Sequence, residues 1–428
     1  MNIIIKNGRV IDPQNGIDEI RDIYVKDGFF ANLDDLNGSK ELPFFDAGGM
    51  IITPGLVDLH VHFRDPGLTH KEDIETGSKA AARGGYTTVC PMPNTIPVVD
   101  NKETVELVRS KETEFVELTV VGALSKGENG QELADYSGMM EAKGGICALS
   151  DDGKTLMDYS LMLEASKRAK NYDLFITDHA ENHDTNIGGV INEGEVSRKL
   201  GLVGIKNSVE SDIVERDVKI AKETGCHMHI QHISAKESVE LIRKAKCDGL
   251  PITAEVTPHH IALTEEAVLI HGSNAKMNPP LRTENDRQAI IEALKDGTIE
   301  YIATDHAPHS EEEKAQKIEK APFGIVGLET AFAVCYTTLV KTGYISLAEL
   351  VNLMSVNPAK LLNINTSISI GNVANFAIFN IQDKYVINSQ EFVSKGKNTP
   401  FNGMEIYGKT MLTVNRGNIT YKAGAFLM

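Results

Sequence analysis

The sequence predicts an α/β protein: a TIM-like (β/α)8 barrel with a small β-sandwich domain formed from both chain termini. Three observations point there. Between residue 51 and about residue 361, eight apolar strand-like runs alternate with helical stretches, and eight is the number that closes a parallel sheet into a barrel. Both ends of the chain read instead as short strands broken by turns. Five of the eight runs carry a His or Asp at the C-terminal end, the rim on which barrel active sites are built. The expected division is a composite β domain, residues 1–52 and 362–428, and a barrel, residues 53–361. A doubly wound open sheet would give a similar string.

In chain order, residues 1–50 read as strands because β-rich runs are punctuated by hairpin signals at Asn7-Gly8 and Asp27-Gly28. Barrel strands are placed at 57–62, 86–91, 116–122, 145–149, 174–178, 226–231, 251–256 and 300–304. Helices fall between most of them, at 72–83, 102–111, 157–170, 209–224, 236–246 and 284–295. Two more, 325–341 and 346–355, follow the eighth strand, then Pro358. From residue 370 short strands return, for example at 374–380 and 410–414. The charged segment 310–322 reads as a solvated loop or helix, and its place after the eighth strand also suits an active-site lid.

Of the 428 residues, 41% are hydrophobic and 24% charged, which excludes a disordered or fibrous chain. Lys and Arg number 43 against 60 Asp and Glu, a formal net charge of −17. That field repels nucleic acid and anionic lipid, so a small anionic substrate needs a pocket with its own cations. Cys90, Cys147, Cys226, Cys247 and Cys335 form no CxxC pair and read as reduced thiols. Met1-Asn2-Ile3-Ile4-Ile5-Lys6 reads as a strand rather than a signal peptide, and no run of 18 apolar residues occurs. The expected location is the cytoplasm.

His60-Val61-His62 stands at the end of the first barrel strand. With period two, Asp58, His60 and His62 share an inward face, and two imidazoles there can take one metal ion through neutral nitrogens. Asp151-Asp152 follows the fourth strand, His179 the fifth, His232 closes the sixth and Asp305 the eighth. Four histidines and two carboxylates exceed the needs of one zinc ion and suit two ions held by a shared carboxylate. Spacing alone leaves Asp151 and Asp152 equal as that bridge. Asp178 and His306 read as supporting hydrogen-bonders, His227 and His229 as barrel packing, and His259-His260 as structural, with a place facing the site as the alternative. His70, His183 and His271 read as surface residues.

Such a centre supports hydrolysis of an amide or imide; phosphoester hydrolysis uses similar metals, so the substrate must be argued from other residues. Water activated by the metals attacks a carbonyl, and a neighbouring carboxylate, Asp305, passes the proton to the departing nitrogen. Arg64 follows the HxH pair by two positions and suits a bidentate carboxylate, with a salt bridge to Asp65 as the structural alternative. Asn94 and Asn278 sit at the rim after strands two and seven, as amide donors and acceptors or as turn formers.

Asp58-Leu59-His60-Val61-His62-Phe63-Arg64-Asp65-Pro66-Gly67, Met92-Pro93-Asn94-Thr95, Asn278-Pro279-Pro280-Leu281-Arg282 and Ala303-Thr304-Asp305-His306-Ala307-Pro308-His309 resemble dihydroorotases. The resemblance is to the longer, class I type of the amidohydrolase superfamily, and it covers essentially the whole chain. It implies a zinc centre with His60 and His62 on one ion, His179 and His232 on the other, and Asp152, directly before Gly153, bridging them. It implies Asp305 as metal ligand and catalytic acid/base. Arg64, Asn94 and His309 match binders of the substrate carboxylate, with His62 beside them. Asn278 and the Phe323-Gly324 backbone match contacts to the dihydropyrimidine ring. Many relatives bridge their metals with a carboxylated lysine on strand four. Here Leu149-Ser150-Asp151-Asp152-Gly153 offers the shorter aspartate, which is compatible with two ions or with one.

The expected activity is zinc-dependent, reversible cyclisation of N-carbamoyl-L-aspartate to L-dihydroorotate in pyrimidine biosynthesis. The rivals are an allantoinase or dihydropyrimidinase-like cyclic amidohydrolase, whose substrates lack the ring carboxylate, and an inactive scaffold for aspartate carbamoyltransferase. A homodimer is expected. Association of an active enzyme with aspartate carbamoyltransferase is left open by the sequence.

Overall fold

The computed structural model describes residues 1–36 and 42–427. Residues 37–41 and Met428, inside the terminal ranges assigned to the β domain, lie outside the described residues.

The barrel strands are Leu56–Val61, Tyr86–Pro91, Val121–Ala123, Ala148–Ser150, Phe175–Asp178, Met228–Ile230, Ile252–Val256 and Tyr301–Ile302, paired in parallel in chain order. The third position is split. Glu117–Leu118 pairs with the second strand and Val121–Ala123 with the fourth, so the expected single strand over 116–122 is interrupted. The ring closes between first and eighth strands, where the His62 N–H donates to the His306 carbonyl at 2.9 Å and Val61 bridges His306 in parallel. Helices cover the outside. Ile74–Gly84 starts on a capping box between Asp73 and Thr76, Glu284–Lys295 on one between Thr283 and Asp286; each satisfies N–H groups the helix start leaves unpaired.

Two expectations change in detail. The helix expected over 325–341 begins only at Ala331, because Ile325 bridges His306 and the Gly327 N–H donates to the His306 imidazole at 3.2 Å. The first strand also departs from strict alternation. Its pairing with the second strand shifts between Asp58 and Val61, and Leu59 packs in the interior cluster with Cys90, Ala148 and Ala303. This bulge turns Asp58 back onto main chain, where it accepts from His60 N at 3.1 Å and Thr304 N at 3.0 Å, tying the barrel seam.

Strands from both termini build a second, nine-stranded sheet. Ile51–Pro54 runs antiparallel to Phe376–Asn380, with Ile52 opposite Ile378. Its own core gathers Ile5, Val10, Val25, Ile52, Phe376, Ile378 and Leu412. Between the strands Phe376–Asn380 and Lys409–Asn415 the chain leaves this sheet. Residues 393–398 cross to the barrel mouth, where Ser394 donates to Glu72 and Asn398 accepts from the His309 N–H at 3.1 Å. No helix among the described residues is long and apolar enough to cross a membrane. All five cysteines are free.

Candidate metal centre and active site

The C-terminal ends of strands one, four, five, six and eight converge. His62 Nε2 stands 3.1 Å from Asp305 Oδ1 and 3.4 Å from Asp152 Oδ2. His60 Nε2 stands 3.3 Å from Asp152 Oδ1 and 3.6 Å from Asp305 Oδ1. His179 Nδ1 lies 2.8 Å from His232 Nε2 and 3.9 Å from Asp152 Oδ1. Asp151 is elsewhere: both its oxygens take the main chain and hydroxyl of Ser125. Three residues facing this space have left-handed backbone, Arg64 (φ 58°), His232 (φ 29°) and Asp305 (φ 47°). Positive φ is costly for side chains of this size. It occurs here where each strand breaks into its loop, and it turns the side chain toward the centre.

The donor set fits a cation. His60, His62 and Asp305 form one group, and His60, Asp152 and His232 another, each with ligand atoms within 4.8 Å of one another. His60 Nε2 and Asp152 Oδ1 face each other, buried, with no hydrogen-bond partner among the described residues. Such orphans are rare in folded proteins, and a metal ion satisfies both at once. The far nitrogens are fixed by acceptors. His60 Nδ1 donates to Glu255 at 2.8 Å, His62 Nδ1 to Asn94 Oδ1 at 3.0 Å and His179 Nε2 to Glu181 at 3.2 Å. That sets each tautomer and leaves the near lone pair inward.

The crowding of these groups shifts their protonation. Burial would raise the Asp152 carboxyl, but His60, His62 and His179 outweigh it and hold it well below the ordinary carboxylate range. Burial opposes charge on His60 too, and Asp152 and Asp305 raise that imidazole regardless. His232 goes the other way, lowered by burial and then by His179 and His60. Glu255 and Glu181 are buried, yet hydrogen bonds from His229 and His60, and from His179, bring each to about 2. Glu255 begins a polar column down the barrel. Its second oxygen meets His229 Nε2 at 3.1 Å, and His229 and His227 share the Thr253 hydroxyl at 2.9 and 2.8 Å.

Above the donors lies a cavity of about 230 Å³. Its outer wall is Arg64, Asn94, Asn278, His309, Phe323 and Gly324, with His62, Asp152, His179, His232 and Asp305 beneath. Asp65, the alternative partner for Arg64, pairs instead with Lys111. Among the described residues Arg64 has no carboxylate in ion-pair contact. Its Nε donates to the Pro308 carbonyl at 3.4 Å, and its Nη2 lies 3.4 Å from His309 Nε2, whose proton is directed elsewhere. Its guanidinium therefore keeps donors free for an anion. His309 Nε2 donates to the Phe323 carbonyl at 2.7 Å, and burial followed by Arg64 and Lys71 lowers the ring to about 2, keeping it neutral. Asn278 Nδ2 donates to Glu181 at 2.7 Å, so one carboxylate serves both His179 and Asn278.

Other singled-out residues sit outside the cavity. Asp178 pairs with Arg216 at 2.8 Å. His260 bonds Thr257 and the Pro279 carbonyl at 2.8 and 3.0 Å, and His259 is buried beside it. His70 is exposed. Sequence reasoning missed Glu255, Glu181, Lys314 and Asn398. A carboxylate inside the apolar run Ile252–Val256 was a signal for Glu255, and Glu181 lies two residues past a candidate ligand. Nothing local marks Asn398, 89 positions from the histidine it holds.

A family model described as Dihydro-orotase-like matches residues 49–238. The dihydroorotase of Clostridioides difficile (strain 630) is 47% identical over 98% of this chain and 100% of its own length. The dihydroorotase of Thermoanaerobacter sp. (strain X514) is 46% identical over 99% of this chain and 98% of its own. The chain belongs to the dihydroorotase family. Solved structures extend the fold beyond it. Dihydropyrimidinase from Brevibacillus agri NCHU1002 superposes with a TM-score of 0.85 at 20% identity, covering 100% of this chain and 96% of that one. L-hydantoinase (dihydropyrimidinase) from Arthrobacter aurescens gives 0.85 at 26%, covering 100% and 97%. Architecture is thus shared with the hydantoinases, while overall sequence sides with the dihydroorotases.

Proposed function

We propose that this dihydroorotase-family chain interconverts N-carbamoyl-L-aspartate and L-dihydroorotate, the ring-closing step of pyrimidine synthesis. The observation that carries the reading is Arg64: a guanidinium without an ion-pair partner among the described residues, lining the same cavity as Asp152 and Asp305. A neutral ring such as dihydrouracil gives that charge nothing to bind; a ring carboxylate does.

His60, His62, Asp152, His179, His232 and Asp305 would hold zinc, two ions bridged by Asp152. When bound, the metal supplies Lewis acidity at the ring carbonyl and a water of lowered pKa. Arg64 binds the substrate carboxylate through its fork of N–H groups, joined by Asn94 and His309. Asn278 and the Phe323–Gly324 main chain orient the ring. In hydrolysis Asp305 carries a proton to the ring nitrogen as the amide C–N bond breaks; in cyclisation it takes that proton from the carbamoyl nitrogen. Asp305 lies 3.1 Å from His62 Nε2, against the metal donors where the scissile amide must sit. The proposed division is a catalytic barrel, 53–361, and a composite β domain, 1–52 and 362–428. The proposed setting is a cytoplasmic homodimer, with aspartate carbamoyltransferase as a candidate partner. The full donor set speaks against an inactive scaffold.

The test is turnover of L-dihydroorotate by zinc-replete protein, with dihydrouracil and allantoin as competing substrates and Asp305→Ala as control. Turnover of dihydroorotate alone, lost in the control, is expected. Activity only on the neutral rings would contradict the substrate, and inactivity on all three would contradict the enzyme.

A further inference from the structure

The main chain at Phe323–Gly324 is held by side chains from two distant places. The Gly324 carbonyl accepts from Lys314 Nζ and from Asn398 Nδ2, each at 3.0 Å. Lys314 also donates to the Pro322 carbonyl at 3.0 Å and the Lys276 carbonyl at 3.3 Å. Three carbonyls use all three protons of the ammonium; Lys314 as a whole is 5% exposed and has no carboxylate in ion-pair contact among the described residues. Asn398 is equally committed, donating to the Ala307 carbonyl at 3.0 Å and accepting from His309 N at 3.1 Å. Gly324 has φ 123°, and a Cβ there would meet the Ala307 side chain at 2.7 Å. So the charged segment 310–322 turns one lysine inward, onto the cavity wall.

We propose that Lys314 and Asn398 are positioning residues: by gripping the Gly324 carbonyl together they fix the Phe323–Gly324 main chain and His309 against the substrate. The proposal rests on reading the cavity as the dihydroorotate site. It makes a segment of the C-terminal region, remote in sequence from the metal ligands, part of substrate recognition.

The experiment compares Lys314→Met, Asn398→Ala and the double variant for kcat and KM on L-dihydroorotate. Zinc content and tryptic cleavage at Lys317 and Lys320 are followed alongside. Each single change should raise KM about tenfold or more, with kcat within about twofold and zinc unchanged, since a buried carbonyl loses a donor. The double should exceed the sum of the two singles, because each single leaves the Gly324 carbonyl one donor and the double leaves it none. Cleavage should quicken in Lys314→Met. Unchanged KM in folded, metal-loaded variants overturns the proposal, as do additive or smaller combined effects or a joint loss of kcat and zinc. If Lys314→Met does not fold, Lys314→Arg and Asn398→Ala decide on the same criteria. If the wild type does not act on dihydroorotate, the functional reading fails separately, and cleavage decides the clamp: unchanged rates overturn it, faster rates retain it.

Discussion

The floor of the active site and its mouth are built by different means. On the floor, side chains hold side chains. His60 rests on Glu255, Glu255 on His229, and His179 on Glu181, within hydrogen-bond distances of 2.8 to 3.2 Å. Glu255 and His229 come from neighbouring barrel strands, and Glu181 from the loop that also carries His179. At the mouth, side chains hold main chain. Lys314, Lys276 and Asn398 bind carbonyls of the loop from Ile318 to Gly324. In the proposed reading the floor sets which atoms would bind a metal, and the mouth sets which ring and which charge would sit above it. The fold is shared with a dihydropyrimidinase at 20% identity, while the family is dihydroorotase.

The sharpest way to break this division is at Asp305, which belongs to the floor and also lines the cavity. Asp305→Asn should lower kcat by about 10²- to 10⁴-fold, the usual worth of a general acid/base, with KM little changed. A kcat within tenfold of wild type would remove the proton-transfer role. Glu255→Gln should act on the floor alone. Zinc affinity, measured by chelator competition, should fall about 10- to 100-fold, while KM of the zinc-saturated enzyme stays put. A change in KM without a change in affinity would show that floor and mouth are not separable there. Glu181→Gln touches both regions through His179 and Asn278, so zinc affinity and KM should shift together, each about three- to tenfold.

The smallest effect lies beneath the floor. Burial lowers the His227 imidazole to about 4, against about 6.5 in an unfolded chain. Between these values the folded protein binds fewer protons than the unfolded one, so its stabilising contribution is present above pH 6.5 and lost as pH falls toward 4. His227→Gln should flatten that part of the unfolding profile and leave KM unmoved. An unaltered slope would show that the His227 imidazole is not held neutral by its surroundings.

Much of the floor was legible because strand periodicity and strand ends are local. His60, His62, His179, His232 and Asp305 announce themselves as polar residues ending apolar runs, and the structure brings them together. Choosing Asp152 over Asp151 needed the family pattern, since alternation alone could not orient a residue lying past its strand. The bulge at Asp58–Val61 was invisible, because an inserted residue changes which neighbours face inward without changing composition. The mouth was less legible for a physical reason. Its order comes from long-range bonds to main-chain carbonyls, which any sequence supplies. Lys314 sits in a run that composition reads as solvated, yet its ammonium is buried; only the tertiary fold shows where those carbonyls point.

The most direct check on the division is a single pair of readings on Arg64→Met: bound zinc and KM for L-dihydroorotate. Removing the guanidinium should leave zinc at the wild-type level and raise KM by roughly two orders of magnitude, in line with ~2–5 kcal/mol for a buried charge pair that loses one partner. An unchanged KM, or loss of zinc with the arginine, would contradict a mouth that recognises the carboxylate independently of the metal floor.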